Sequence, residues 1–269
     1  MTEARHRCVL ITGASSGLGA EFARQLAGRS QRMVLVARRK DRMAKLEKEL
    51  RGIAPGLEVG SIAADLALAE DRVALGRRLE GTAWAPSLLV NNAGLGDYGE
   101  FATAEWSKLE AMMQVNMTAL THLTHEFLPQ MLEDGDGAII NVSSLSSILP
   151  IPDFAVYAAS KAYVSSFSEA LRIEVRERGV SVLAVCPGPV HTEFGERARR
   201  GGEEEENPLR EWFFAEAEDV VAESLRALAR DQARVYPGWK IALAAAGISL
   251  VPLAVLRLVL SSRPRKVAD

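Results

Sequence analysis

Short apolar runs alternate with longer segments of helical periodicity along most of the chain, and this alternation restricts the fold more than any other feature. The runs are rich in Val, Ile and Leu, as expected of strands covered on both faces, and they lie at 8–12, 33–37, 57–63, 88–90, 138–142 and 180–185. The helical segments lie at 17–29, 41–51, 69–80, 105–132, 155–178 and 218–230. Strict alternation predicts an α/β fold with a parallel, doubly wound sheet of about seven strands and helices on both faces.

A length of 269 residues suits one large domain with a substantial core. We assign residues 1–238 to a single Rossmann-type domain and residues 239–269 to an apolar C-terminal helical extension. The stretch 193–217 is irregular and contains four consecutive glutamates, so it is predicted to be a mobile loop or a loosely held helix. Ligands of such sheets bind at the carboxyl ends of the strands, where the strand order reverses. The functional site is expected there.

Charge and cysteine content exclude several classes of function. The net charge of −3 leaves no basic excess to neutralise phosphates, so no nucleic-acid partner is expected. Cys8 and Cys186 lie in separate apolar runs, which is typical of reduced core residues in a cytoplasmic protein. The N-terminal apolar run is too short for a signal peptide. His122 and His125 can share a helix face, but no third ligand accompanies them, and no metal is predicted.

The segment TGASSGLG at 12–19 directly follows the first predicted strand and opens the first predicted helix. Glycines at 13, 17 and 19 let the backbone turn tightly and approach a ligand, and the N–H groups at a helix start attract phosphate. A dinucleotide pyrophosphate is the natural occupant. The spacing G-x-x-x-G-x-G differs from the familiar G-x-G-x-x-G, so this pattern alone also fits a purely structural turn.

The second predicted strand ends at Ala37 and is followed by Arg38 and Arg39. A site for NAD has a carboxylate at this strand end, which accepts hydrogen bonds from the ribose 2′-hydroxyl. Without it, a 2′-phosphate is expected to lie against Arg38, with a hydroxyl from Ser15 or Ser16 adding a hydrogen bond. The sequence therefore favours NADP(H) over NAD(H). The alternative is a solvent-exposed arginine pair that opens a helix.

Tyr157 and Lys161 lie four residues apart in the segment YAASK, within a predicted helix. Residues at this spacing share a helix face, and a cation about 4 Å from a phenolate is worth up to roughly 4 kcal/mol at an effective dielectric of 20. Lys161 is therefore predicted to lower the pKa of Tyr157 toward the range that suits general acid catalysis. The Ser144 hydroxyl, at a strand end, can bind the same substrate oxygen. An ordinary surface helix remains the alternative on this spacing alone.

Six motifs occur together and in order, namely TGASSGLG at 12–19, NNAG at 91–94, Asn116, NVSS at 141–144, YAASK at 157–161 and PGPVHT at 187–192. With this set the chain resembles the short-chain dehydrogenase/reductase family over residues 8 to about 238. The three-residue gap between the first two glycines resembles the main oxidoreductase branch of the family. The sugar-nucleotide epimerase branch usually has G-x-x-G-x-x-G instead.

The resemblance implies a catalytic tetrad of Asn116, Ser144, Tyr157 and Lys161. Tyr157 would exchange a proton with the substrate oxygen while hydride passes between nicotinamide and the carbonyl carbon, and Ser144 would hold that oxygen. Lys161 would also bind the nicotinamide ribose. Asn116 resembles the residue that bends its helix around a water and connects Lys161 to solvent. The spacing of thirteen residues to Tyr157 selects Ser144 over Ser143, which is interpreted as a backbone-facing turn residue.

The resemblance also implies contacts with the cofactor. Asp65 stands at the position that contacts the adenine amino group, the segment after the fourth strand would pass the adenosine ribose, and Val190 with Thr192 would contact the nicotinamide carboxamide. Capping and turn formation are the structural alternatives for these residues. The complete implied set is Gly13, Ser15, Ser16, Gly17, Leu18, Gly19, Arg38, Arg39, Asp65, Leu66, Asn91, Asn92, Ala93, Gly94, Tyr157, Lys161, Pro187, Gly188, Val190 and Thr192.

Substrate specificity is expected to come from residues 145–154 and from the loop 193–217, in which Trp212, Phe213 and Phe214 are candidate apolar lid residues. The implied function is an NADPH-dependent ketone or aldehyde reductase, reversible as an alcohol dehydrogenase, for a small or medium apolar substrate. A non-catalytic, NADP(H)-sensing protein on the same scaffold is the alternative, because a fold does not establish turnover.

The segment 241–260 is almost wholly apolar but contains Gly247, Pro252 and Arg257. The leading interpretation is a bent helix pair that packs on a partner subunit or roofs the substrate pocket, in a soluble homodimer or homotetramer. Basic residues follow it, so peripheral membrane contact through 241–260 stays open. A helix of this length would reach about 30 Å, enough to span a bilayer, but the proline and the arginine argue against a membrane-spanning helix.

Overall fold

The computed structural model describes residues 6–200 and 212–261. Its strands are β1 His6–Thr12, β2 Ser30–Ala37, β3 Glu58–Ala63, β4 Leu88–Asn91, β5 Gly137–Val142, β6 Val180–Val185 and β7 Arg234–Val235. They form one sheet in the order β3-β2-β1-β4-β5-β6-β7, and every neighbouring pair is parallel. The predicted doubly wound α/β fold is confirmed. The short strand β7 was not among the six apolar runs.

The helices lie on both faces of this sheet. They are α1 Gly17–Ala27, α2 Lys40–Ile53, α3 Ala69–Leu79, α4 Trp106–Met113, α5 Leu120–Asp134, α6 Ala155–Val175, α7 Glu193–Ala198, α8 Ala217–Ala229, α9 Trp239–Leu250 and α10 Leu253–Ser261. A π-helical segment, Gln114–Ala119, joins α4 to α5, and a 3-10 turn, Leu145–Ile148, follows β5.

Alternate residues of the central strand β1 enter the two layers of the core. Val9 and Ile11 pack with residues of α1, α2 and α8, whereas Cys8 and Leu10 pack with residues of α3, α5 and α6. All four are completely buried. Full burial of such a side chain contributes roughly 1.5–3 kcal/mol, so both layers hold the sheet rigidly beneath the site. Cys186 is also buried, and both cysteines are free thiols, as expected of core residues.

The strand order reverses at β1, because the chain runs outward to β3 and then returns to β4 on the other side. The carboxyl ends of β1 and β4 therefore flank the crevice in which ligands of such sheets bind. Thr12 ties the two ends together, since its Oγ1 accepts hydrogen bonds from the backbone N–H groups of Asn92 and Ala93, each at 3.0 Å. The loop after β4 is thereby held against the glycine-rich turn.

The predicted helix over 105–132 is present as an uninterrupted helical run of α4, the π-helical segment and α5. The widened turn within it lets the Asn116 side chain bond to the backbone of Leu95. Widened turns of this kind are frequent at functional sites. Their cause lies outside the helix, so helical periodicity does not reveal them.

The C-terminal helices α9 and α10 meet at 109°. Pro252 lies in the break, where its missing N–H and fixed φ end the helical run. In the described residues, no single helix is long and apolar enough to cross a bilayer, although α9 and α10 together reach that length and composition. The predicted bend is confirmed, whereas the domain division at residue 238 stays a prediction.

Candidate active site

Tyr157 and Lys161 lie one turn apart on α6, and both side chains are buried. The Nζ atom of Lys161 lies 5.7 Å from the centroid of the Tyr157 ring. Lys161 Nζ also donates a hydrogen bond of 2.9 Å to the carbonyl of Val142, the last residue of β5. The sheet therefore fixes the position of the ammonium, and the two side chains face the same site, as their spacing predicted.

Burial controls the ionisation of both groups. It raises the pKa of Tyr157 to about 12, and a hydrogen bond with Ser144 opposes that shift. Burial also lowers the pKa of Lys161 to about 8. The prediction of a lowered tyrosine pKa is wrong in this structure, because the desolvation that penalises the phenolate is the largest cause. Near neutral pH, Tyr157 is a protonated phenol beside a lysine that is largely charged.

The two serines after β5 have different environments. Ser144 is hydrogen-bonded to Tyr157, and its Oγ accepts a hydrogen bond of 3.1 Å from the backbone N–H of Ser146. Ser143 is buried, and its Oγ donates to the carbonyl of Lys161 at 2.8 Å. Ser144 therefore has the position expected of the substrate-binding hydroxyl, and Ser143 faces the backbone.

Asn116 connects the loop after β4 to the helix that bears Tyr157. Its Oδ1 accepts from the N–H of Leu95 at 2.8 Å, and its Nδ2 donates to the carbonyl of Leu95 and to Ser160 Oγ, each at 3.0 Å. Ser160 Oγ donates in turn to the carbonyl of Tyr157. A Cβ on Gly94 would lie 3.4 Å from Lys161 Nζ and 3.6 Å from Asn116 Oδ1. Asn116 and Lys161 thus converge at Gly94, while a bound water at Asn116 stays a prediction.

The glycine-rich turn lets a ligand approach its backbone closely. Gly13 and Gly17 have φ of +66° and +55°, in the left-handed region that favours glycine. A Cβ on Gly19 would collide with the carbonyl oxygen of Gly13 and would lie 2.5 Å from Asn92 Nδ2. Helix α1 begins at Gly17, and the preceding Ser16 makes no side-chain capping bond. This cradle fits a pyrophosphate, whose oxygens would accept the free N–H groups.

Arg39, rather than Arg38, lies over this turn. Its Nε and Nη2 donate to Ser15 Oγ at 3.1 and 2.9 Å, and Nη2 also donates to Ser16 Oγ at 2.6 Å. Arg38 instead approaches Asp65 at 3.7 Å, with 58% of its side chain exposed. Sequence analysis had assigned the 2′-phosphate to Arg38. The guanidinium that already reaches the predicted serine hydroxyls belongs to Arg39.

Glu193, which the sequence analysis missed, joins this group from the other side of the site. Its carboxylate accepts hydrogen bonds from Arg42, from Arg39 at 2.9 Å and from Arg197 at 2.9 Å. The hydrogen bonds from Arg42 and then Arg39 lower the pKa of Glu193 to about 2. No local pattern links residue 193 to residue 39, so the sequence offered no signal for the contact. The carboxylate neutralises cations that a phosphate would otherwise use.

The segment after β6 lies between the tetrad and the glycine-rich turn. The carbonyl of Pro187 accepts from the N–H of Leu145 at 2.8 Å, next to Ser144. The Thr192 side chain lies against Gly17, where a Cβ would meet Thr192 Cγ2 at 3.1 Å, and its Oγ1 caps α7. Val190 pairs with Ala215 through a parallel bridge. Contact of this segment with the nicotinamide stays a prediction.

Asn91 and Asp65, which are predicted to lie near the adenosine, also make hydrogen bonds within the protein. The Asn91 side chain is buried and donates to Thr124 Oγ1 and Asn141 Oδ1 at 3.1 and 2.9 Å. The Asn91 side chain therefore points into the core, and the passage of this segment close to the adenosine ribose stays a prediction. Asp65 Oδ1 accepts from the N–H of Ala67 at 3.1 Å, which makes a local turn, and the following Leu66 is buried.

Aromatic rings surround the Tyr157 phenol. Phe154 stacks on it with ring centroids 4.1 Å apart, and Phe194 lies at 5.5 Å. Tyr98, which the sequence analysis missed, packs edge-on against Phe154. Both phenylalanines come from the segments predicted to set specificity. Of the predicted lid residues, Trp212 packs on Phe213 and Trp239, and Phe214 stacks on His191. Residues 201–211 of that loop lie outside the described residues, and the lid stays a prediction.

Known proteins resemble this chain in sequence and in fold. The family model described as short chain dehydrogenase matches residues 7–202. A sulfoacetaldehyde reductase from Chromohalobacter salexigens is 37% identical over 199 residues, or 73% of this chain and 77% of that protein. A solved short-chain dehydrogenase from Sphingobium yanoikuyae, in complex with NADPH, is 32% identical with a TM-score of 0.81, over 97% of this chain and 98% of its own. The bulky-bulky ketone specific alcohol dehydrogenase from Comamonas testosteroni is 28% identical with a TM-score of 0.76, over 97% and 96% of the two chains.

Proposed function

The chain belongs to the short-chain dehydrogenase/reductase family, and we propose that it is an NADP(H)-dependent reductase of apolar ketones or aldehydes, with Tyr157 as general acid. Membership makes it an oxidoreductase of carbonyl or alcohol groups. The preference for NADP(H), the role of Tyr157 and the substrate class are the proposal.

The buried Tyr157 phenol, hydrogen-bonded to Ser144 and one helical turn from Lys161, is the observation that carries this proposal. The nicotinamide cofactor supplies the hydride that adds to the carbonyl carbon. Tyr157 gives its O–H proton to the carbonyl oxygen, so the carbonyl becomes an alcohol and the phenol becomes a phenolate. Ser144 donates a hydrogen bond to that oxygen, and the Lys161 ammonium stabilises the phenolate. A phenol with a pKa of about 12 holds its proton across the neutral range and suits the reductive direction.

The surroundings of the phenol support an apolar substrate. Phe154, Phe194 and Tyr98 supply the aromatic surface nearest to it, and apolar walls with few polar groups are typical of such pockets. The Comamonas testosteroni relative is described as specific for bulky ketones. We therefore propose that the substrate of this chain is a bulky or aromatic ketone rather than a charged one.

The experiment is a screen of carbonyl compounds against the purified protein and NADPH, followed by loss of nicotinamide absorbance at about 340 nm, with cyclohexanone, acetophenone and decanal as probes. We expect turnover of at least one of them. Tight NADPH binding without turnover on any carbonyl compound would favour the alternative, a protein that senses the cofactor.

NADP(H) preference is expected to depend on Arg39. Its guanidinium reaches Ser15 and Ser16, and a charge-assisted hydrogen bond to phosphate is worth about 1.5–3 kcal/mol. Arg39→Ala should therefore weaken NADPH binding by about 10- to 100-fold while changing NADH binding little. Cofactor fluorescence titration measures both dissociation constants. Arg38→Ala should have a smaller effect, because Arg38 faces Asp65.

Arg51→Ala is the matched control, since that arginine lies at the end of α2 and pairs with Glu47. A ratio of NADPH to NADH affinity that is unchanged in both Arg38→Ala and Arg39→Ala would refute the proposed 2′-phosphate site.

Glu193 is expected to compete with the 2′-phosphate for Arg39 and Arg42. Glu193→Gln should tighten NADPH binding about two- to fivefold, a modest gain because solvent screens an accessible ion pair. The gain should shrink at high salt. Glu196→Gln, on the same helix but exposed, is the control. Weaker NADPH binding by Glu193→Gln would mean that Glu193 supports the cofactor rather than competing with it.

A further inference from the structure

Helices α9 and α10, together with Trp212, expose a continuous apolar surface next to the proposed nicotinamide segment. We call it the C-terminal apolar face. Its start is anchored by Ile241, which is buried against Gly188, so that a Cβ on Gly188 would lie 2.9 Å from Ile241 Cγ1. Its exposed large side chains are Trp212, Trp239, Leu243, Leu250, Leu253 and Leu258.

Helix α10 has no core of its own to pack against. Within residues 6–200 and 212–261, none of its residues is buried. Leu250 and Leu258 are 85% and 72% exposed. A nine-residue helix is marginal in water without tertiary packing, and exposed apolar surfaces of this extent mark interaction sites. The face therefore requires a partner that covers leucine side chains.

The charge of this region selects the partner. The chain as a whole has a net charge of −3, yet residues 239–268 contain five basic residues and no acidic one. Two of the basic residues, Lys240 and Arg257, lie on α9 and α10 themselves. The other three follow α10 in the sequence. An apolar surface with a basic border is complementary to an anionic bilayer.

Two tryptophans lie where α9 begins. Trp212 and Trp239 pack edge-to-face with ring centroids 6.2 Å apart, and Lys240 Nζ lies 4.3 Å from the centroid of the Trp212 ring. Tryptophan rings prefer the headgroup level of a membrane, and Lys240 Nζ, which donates to the carbonyl of Trp212 at 3.0 Å, places a positive charge beside these rings. The bend of 109° between α9 and α10 suits a surface that lies on a bilayer better than one that spans it.

A second copy of the chain is a poorer partner. In a two-fold symmetric contact the same patch meets itself. Lys240 and Arg257 would then face a patch that has only basic charges within residues 239–261. Like charges across an interface are unfavourable.

From these observations we propose that the C-terminal apolar face binds the surface of anionic membranes, with the leucines of α9 and α10 inserted among the acyl chains and Lys240 and Arg257 near lipid phosphates. The proposal does not depend on the reaction, because binding of the protein to vesicles needs neither cofactor nor substrate.

The test is flotation of the full chain with vesicles of phosphatidylcholine alone, or with about 30 mol% phosphatidylglycerol added. We expect binding to the anionic vesicles to be at least about tenfold stronger, and to fall when NaCl is raised from about 0.1 to 0.5 M. Leu250→Glu with Leu258→Glu should abolish binding, and Arg257→Glu should weaken it about tenfold. Ile53→Glu, which changes a 52% exposed residue on α2, is the matched control and should bind normally.

Circular dichroism establishes that each variant is folded, and if the double variant is not, Arg257→Glu decides. Absence of binding, equal binding to both vesicle types, or normal binding by the folded variants would overturn the proposal. Light scattering in lipid-free buffer supplies the remaining outcome. A dimer that becomes monomeric in the double variant would assign the face to a second copy and overturn membrane docking.

Discussion

Replacing Tyr157 with phenylalanine is expected to lower kcat for carbonyl reduction by about 10²- to 10⁴-fold, the usual contribution of a positioned general acid. The substitution removes only the hydroxyl that gives the proton. The ring can keep its stack on Phe154 at 4.1 Å, and Lys161 keeps its bond to the carbonyl of Val142. Binding of NADPH should therefore change little. Steady-state rates and a cofactor fluorescence titration measure the two quantities.

Tyr163→Phe is the matched control, because Tyr163 lies on the same helix, is 39% exposed and bonds through its hydroxyl to Thr121. It should retain the rate of the parent protein. If Tyr157→Phe retained that rate as well, proton transfer would have to come from another group, and the role given to Tyr157 would be wrong.

The second large effect is expected from Gly19→Ala. The added Cβ would collide with the Gly13 carbonyl and lie 2.5 Å from Asn92 Nδ2, the atom that donates at 2.9 Å to the carbonyl of Thr12. Overpacking of this kind costs about 1–3 kcal/mol, which corresponds to a fall in Tm of about 3–10 °C for a chain of this size. A displacement of about 1 Å in the position of a reacting group can lower the rate by about 100-fold. We expect kcat/KM for NADPH to fall by about this factor.

Gly28→Ala separates this effect from a general response of helix α1. Gly28 caps the other end of that helix with a right-handed backbone, and a Cβ there would meet nothing within 4 Å among the described residues. It should keep both Tm and NADPH affinity. A Gly19→Ala protein with unchanged Tm and cofactor binding would mean that the turn has more room than its packing indicates.

The elements that the sequence predicted correctly depend on neighbours in the chain. The four-residue spacing of Tyr157 and Lys161 places them on one helix face whatever surrounds them, and the strand-to-helix glycine turn is equally local. The choice of Ser144 over Ser143 also agrees with their hydrogen bonds, because only Ser144 reaches Tyr157.

The features that the sequence did not predict depend on distant residues. The place directly after the strand end favours Arg38 in the sequence, whereas the placement of the Arg39 side chain depends on Glu193, 154 residues later in the chain. The π-helical turn at Asn116 depends on Leu95, 21 residues earlier. The direction of the Tyr157 pKa shift depends on how completely the fold buries the phenol, and no spacing between two residues contains that information.

Isotope transfer from NADPH in which both hydrogens at nicotinamide C4 are replaced by deuterium tests the central claim most directly, with the carbonyl probes above as acceptors. We expect the alcohol formed by the parent protein to carry one deuterium on its carbinol carbon. The Tyr157→Phe protein should form at least about 10²-fold less of this alcohol. Saturating NADPH binding with no deuterated alcohol from any carbonyl probe would contradict the account.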